Sequence, residues 1–116
     1  MSTTLYGIPN CTTVKKARAW LDERQEPYTF ANFKTAAPEA GQLARWLDAV
    51  GEDTLINRRG TTWRKLSPAE QAAAGSREGA IALMQAQPSV IKRPVLEHQG
   101  RIHVGFSPEL YSEIFA

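Results

Sequence analysis

Between Thr12 and Arg24 the apolar residues Val14, Ala17, Trp20 and Leu21 recur at helical spacing, and Lys15, Lys16, Arg18, Asp22 and Glu23 fill the other side. That pattern predicts an amphipathic helix. Ahead of it, Thr3-Thr4-Leu5-Tyr6 has β-forming character and is stopped by the turn cluster Gly7-Ile8-Pro9-Asn10. Cys11 therefore falls where loop becomes helix. Beyond Pro27, the run Tyr28-Thr29-Phe30-Ala31-Asn32-Phe33 alternates aromatic with smaller residues, as a second strand does. The resulting β-α-β unit normally joins parallel strands by a right-handed crossover and binds ligands beyond their carboxyl ends.

The middle of the chain has a helical period. Pro38 suits a first turn, Leu43, Trp46, Leu47 and Val50 form an apolar stripe, and Gly51 suits the exit. A loop rich in Arg follows. Ser67-Pro68-Ala69-Glu70 then combines a capping box with Pro at the first helical position, and Ala80, Leu83, Met84 and Gln87 keep a buried-face spacing up to Pro88. There the period changes. Pro94-Val95-Leu96-Glu97 and Arg101-Ile102-His103-Val104 read as the strands of a β-hairpin around His98-Gln99-Gly100. Ser107 and Pro108 cap a closing helix whose Leu110, Tyr111, Ile114 and Phe115 can pack on the sheet.

A β-α-β half joined to a β-β-α half predicts an α/β fold of thioredoxin-like type, a four-stranded mixed sheet with helices on both sides. The helical middle, about residues 36–88, reads as an insertion. A chain of 116 residues has room for one core, so a single domain over 1–116 is expected. With 42% hydrophobic and 22% charged residues the composition is that of a globular protein rather than a disordered tail.

No run approaches the roughly 20 apolar residues that cross a bilayer, and Met1-Ser2-Thr3-Thr4 lacks the basic and apolar regions of a signal peptide. A cytoplasmic location without membrane contact is therefore expected. The net charge is +2, too mild a bias to predict direct nucleic-acid binding. His98 is placed in the hairpin turn, and His103, between Ile102 and Val104, is placed on the opposite, wet face. Two His and one Cys without ligand spacing predict no metal site, and no Gly-x-Gly-x-x-Gly or Walker loop is present. No bound cofactor is expected.

Cys11 carries the candidate chemistry. A thiol reacts as thiolate, and a helix N-terminus favours that form through its unpaired N–H groups and its dipole. Thr12 and Thr13 add hydroxyl donors, and Lys15, Lys16 and Arg18 are positioned by sequence to reinforce the field. The same N–H groups suit an oxyanion. A lone cytosolic cysteine is often an inert core residue, but Asn-Cys-Thr-Thr after Gly and Pro, at a strand-to-helix turn, is a poor place for one. As the single cysteine, Cys11 has no internal resolving partner, so a redox cycle takes its second thiol from outside.

The segment Gly7-Ile8-Pro9-Asn10-Cys11-Thr12-Thr13-Val14-Lys15-Lys16-Ala17 resembles the active-site segment of the arsenate reductase (ArsC) family, which includes Spx regulators and YffB-like proteins. The resemblance continues through Leu55-Ile56-Asn57-Arg58-Arg59-Gly60-Thr61-Thr62-Trp63-Arg64-Lys65-Leu66, Ile91-Lys92-Arg93-Pro94 and Val104-Gly105-Phe106-Ser107. Asn-Cys-x-Thr, Arg-Gly-Thr-Thr-Trp-Arg-Lys-Leu and Ile-Lys-Arg-Pro in that order are most similar to the YffB-like branch. The resemblance implies a thioredoxin-like fold with a helical insertion and glutathione or glutaredoxin as the outside thiol. It implies Cys11 as nucleophile and Arg93 and Arg59 as stabilisers of anionic charge. Asn10, Thr12, Thr13 and Pro94 would line the substrate and thiol site, with Pro94 the cis-proline beside it.

Two departures from the arsenate reductase pattern bear on the substrate. The second arginine of that pattern falls at Asn57, with Arg59 two residues on, and a third, late arginine is replaced near Gly105-Phe106. Loss of a charge-assisted donor costs about 1.5 to 3 kcal/mol, enough to weaken arsenate binding more than about tenfold. The expected activity is thus a glutathione-dependent thiol reductase acting on an oxidised thiol or small oxyanion. One alternative is an Spx-like regulator that binds the α-subunit of RNA polymerase. Val14 stands where such regulators carry the second cysteine of Cys-x-x-Cys. Another alternative is a protein that binds glutathione without turnover.

Overall fold

The computed structural model describes residues 2–116. Along the chain run β1 (Thr3–Gly7), α1 (Thr12–Glu23), β2 (Thr29–Asn32), α2 (Ala40–Val50), α3 (Glu52–Leu55), α4 (Thr61–Arg64), α5 (Pro68–Ala73) and α6 (Arg77–Ala86). A 3-10 turn (Pro88–Val90), β3 (Val95–His98), β4 (Arg101–Val104) and α7 (Pro108–Ile114) complete it. The residues cluster into two compact units, Met1–Asn32 with Arg93–Ala116, and Phe33–Lys92.

The first unit holds the whole sheet, in the order β2-β1-β3-β4. β1 runs parallel to β2 and antiparallel to β3, and β4 is antiparallel to β3. This is the expected thioredoxin-like α/β arrangement, β-α-β followed by β-β-α. Leu5 lies opposite Leu96 on the sheet, and both pack with Ala17, Trp20 and Leu21 of α1 and Tyr111 of α7. The helical stripe read from the sequence is therefore the buried face of α1. The Tyr111 ring meets Trp20 edge-on at 5.6 Å and Phe106 at 4.7 Å. Burial pushes its hydroxyl pKa up, so it stays protonated at any ordinary pH.

Three local readings change. β2 covers Thr29–Asn32 because its pairing with β1 ends at Gly7↔Asn32, leaving Tyr28 and Phe33 outside the strand. The hairpin turns on two residues, Gln99 (φ 53°) and Gly100 (φ 78°), whose left-handed backbone matches the twist of the strands it joins. His98 thus belongs to β3. Its Nδ1 lies 2.7 Å from the Thr3 hydroxyl and its ring 4.4 Å from that of Phe115. His103 pairs across the sheet with Leu96, which puts it on the face covered by α1 and α7 instead of the wet face. Burial, with the nearby charges of His98 and Arg101, lowers its pKa.

The second unit is helical. Leu43, Trp46 and Leu47 of α2 are buried, as are Ala80 and Met84 of α6, and the two helices pack together. Trp46 also meets the Phe33 ring at 6.3 Å. Arg77 at the start of α6 pairs with Asp48 of α2, and the Gln85 amide donates to the Pro38 carbonyl at 3.4 Å. Pro38 therefore sits just before α2, whose N-cap is Glu39, instead of in its first turn. Gly51 closes α2 with φ 82°, and the Ser67–Glu70 capping box opens α5 as read. The Arg-rich loop contains two single-turn helices, α3 and α4, too short to leave a periodic signal.

No helix among the described residues is long and apolar enough to cross a membrane. Among the same residues, no group of three or more His, Cys, Asp or Glu is placed to hold a metal ion.

Candidate functional site

Cys11 is the N-cap residue of α1, with extended backbone (φ −88°, ψ 128°). Its amide turns back to the Ile8 carbonyl at 3.3 Å, and its own carbonyl accepts the first helical bond from Lys15 at 2.9 Å. An N-cap side chain faces the amides of the second and third helical residues, here Thr13 and Val14. The sulfur is half-buried and closes no full capping bond. Burial alone would raise the thiol pKa. The Val14 amide, the Arg93 guanidinium and the Thr13 amide outweigh it and hold the thiol below its ordinary value.

Arg93 reaches Cys11 because β3 is zipped beside β1. Their last pair is Tyr6↔Val95, so Arg93 and Pro94 lie beside the loop that leaves β1 for Cys11. The Arg93–Pro94 bond is cis, Pro94 is buried, and its carbonyl accepts from the Gly105 amide at 2.9 Å.

The donors at the thiol differ in part from those expected. The Val14 and Thr13 amides and Arg93 lower the thiol pKa. Val14 was outside the expected set, although the N-cap rule pointed to it. Of the cations on α1, Arg18 is engaged elsewhere, donating to the Tyr28 hydroxyl at 3.1 Å and lying over the Phe30 ring. Lys15 and Lys16 are exposed, as are Asn10 and Thr12. Arg59 belongs to the second unit, where its amide donates to Asn57 Oδ1 at 3.2 Å in an exposed turn.

Gly7 shows how tightly α1 seats. A Cβ there would stand 2.7 Å from Cγ2 of Val14, a stiff, fully buried side chain that cannot swing aside. Gly7→Ala is expected to cost about 1–3 kcal/mol by overpacking. It also pushes the Val14 amide from the sulfur. Urea denaturation and the pH dependence of Cys11 alkylation should therefore both shift, and an unmoved alkylation profile would show that the seating of Val14 does not tune the thiol.

The family model for the ArsC family matches residues 6–114. Among solved structures, the YFFB (PA3664) protein aligns with a TM-score of 0.94 and 48% identity, covering 99% of this chain and 100% of that one. The solution structure of an arsenate reductase (ArsC) related protein from Brucella melitensis aligns with a TM-score of 0.76 and 46% identity, covering 99% and 95%. The global transcriptional regulator Spx of Listeria innocua is 30% identical over 114 residues, 91% of this chain and 81% of its own length.

Proposed function

The chain belongs to the ArsC family, and from that footing we propose that it is a thiol-dependent reductase with the Cys11 thiolate as nucleophile and glutathione as co-substrate. The observation that carries this reading is the half-buried thiol whose pKa is lowered by two helix-start amides and Arg93. The substrate is an oxidised thiol in the form of a mixed disulfide with glutathione. Cys11 attacks the glutathione sulfur, its S–S bond breaks, and the departing thiolate takes a proton from water. A second glutathione thiolate attacks the sulfur now bound to Cys11, which releases Cys11 as thiolate and leaves glutathione disulfide. Arg93 stabilises the negative charge at each step. The resemblance gives Arg59 a hold on anionic charge of the substrate, and Asn10, Thr12, Thr13 and Pro94 border the thiol site.

Ionisation of the thiol sets the pH dependence. A depressed thiol pKa makes alkylation and thiol transfer rise with pH and level off below the ordinary thiol value, near 8.5. The link to stability has a definite sign. The contribution is complete above the unfolded pKa and is lost as pH falls through the lower, folded one. In Arg93→Gln the midpoint is expected to move up toward that ordinary value, and alkylation at pH 7 to slow several-fold. The measurement is iodoacetamide rate against pH, with Cys11→Ser as blank. A wild-type midpoint at or above 8.5 would overturn the proposal. Mass spectrometry after glutathione disulfide, or after arsenate with glutathione, tells a disulfide substrate from an oxyanion.

A second reading has one observation in its favour, the 30% identity with Spx of Listeria innocua. Under it the chain is a regulator that binds RNA polymerase through its α-subunit. Val14 at the second position of Cys-x-x-Cys counts against a redox switch of that kind. A pull-down with the carboxyl-terminal domain of the polymerase α-subunit separates the two, since specific binding without thiol transfer reverses the order.

A further inference from the structure

We infer that a cleft in the second unit, walled by Arg59 and Lys92, binds a small organic anion through its carboxylate or phosphate group. The cleft measures about 380 Å³ and is also lined by Asp53, Ile56, Asn57 and Arg58. That volume exceeds a bare inorganic ion and suits a small molecule.

The two walls come from separate segments that the backbone ties together. Ile56 and Ile91 form an antiparallel bridge, the Asn57 amide donates to the Val90 carbonyl at 2.8 Å, and the Lys92 amide donates to the Leu55 carbonyl at 2.8 Å. Asn57 then shapes the turn that carries Arg59, accepting its amide at Oδ1 and the Gly60 amide at the carbonyl. A Cβ on Gly60 would stand 2.9 Å from the Asn57 side-chain nitrogen, so the turn is closely packed.

Charge is left over once the internal pairs are formed. Arg58 is committed to Glu52 and Asp53 and lies over the Trp63 ring at 5.5 Å. Asp53, the carboxylate of the cleft, is thereby used. Neither Arg59 nor Lys92 has an ion-pair partner among the described residues, so a planar fork and a point charge face one cleft unmatched.

The inference leans on the proposed function only in giving Arg59 an anion to hold. Its test runs in the Cys11→Ser chain, where failure leaves the thiol chemistry untouched. Amide shifts of the 15N-labelled chain are followed while inorganic phosphate or S-methylglutathione is added. Expected are saturable shifts at residues 55–60 and 91–92, weakened about five- to tenfold in Lys92→Gln and unchanged in Arg45→Gln, which loses the same charge from α2. Saturation with phosphate alone identifies a phosphate group, and with S-methylglutathione alone a carboxylate. Shifts that never saturate and spread to Lys15 and Lys16, or equal affinity in Lys92→Gln, overturn the inference.

Discussion

Cys11→Ser is expected to remove glutathione-dependent thiol transfer, with a loss of at least about a thousandfold, because it replaces the attacking atom itself. A serine hydroxyl does not ionise under the amides and the guanidinium that hold the thiolate, so their stabilisation has nothing to act on. The fold should be kept, since the cysteine closes no complete capping bond and serine is a good N-cap residue. The measurement pairs turnover of a glutathione mixed disulfide with thermal unfolding. Residual turnover within tenfold of wild type, in a chain that melts normally, would place the nucleophile elsewhere.

Gly79→Ala is expected to have the largest effect on stability. Alanine for glycine inside a helix ordinarily stabilises by about 0.5–1 kcal/mol. At Gly79, in the first turn of α6, the sign reverses. A Cβ there would overlap the carbonyl oxygen of Ala73, at the end of α5, and stand 2.7 Å from its carbonyl carbon. Both are backbone atoms, so relief means moving one helix against the other. The cost is expected to reach about 3 kcal/mol or more. Gly41→Ala in α2, with nothing within 4 Å of the new carbon, is the matched control and should stabilise. Urea midpoints at constant slope report both, and equal behaviour of the two variants would refute the close approach of α6 to Ala73.

The long amphipathic segments were legible because each states its buried face several times. Val14, Ala17, Trp20 and Leu21 mark one side of α1, and all four are buried. Ser67, Pro68 and Glu70 likewise specify their helix start by local hydrogen bonding. Cys11 at the α1 N-terminus was readable for the same reason, from turn residues before it and helical period after. Short pieces were not. Four residues, as in α3 and α4, complete about one turn, and no periodicity exists over one turn. The hairpin was displaced by one residue because Gln99 gives little sign of its left-handed backbone.

The sequence by itself determined the long amphipathic helices, the order of the strands around them, and the placing of one thiol at a helix start, since spacing and turn chemistry act over a few neighbours. Tertiary structure alone decided what surrounds that thiol. Arg93 lies far along the chain from Cys11, and only the register of β3 on β1 brings it to the sulfur. The side taken by His103 was likewise settled by its partner across the sheet. The register of β3 on β1 joins segments far apart in the chain and is fixed by which faces are buried against which helices, so the residues around Cys11 do not specify it by themselves.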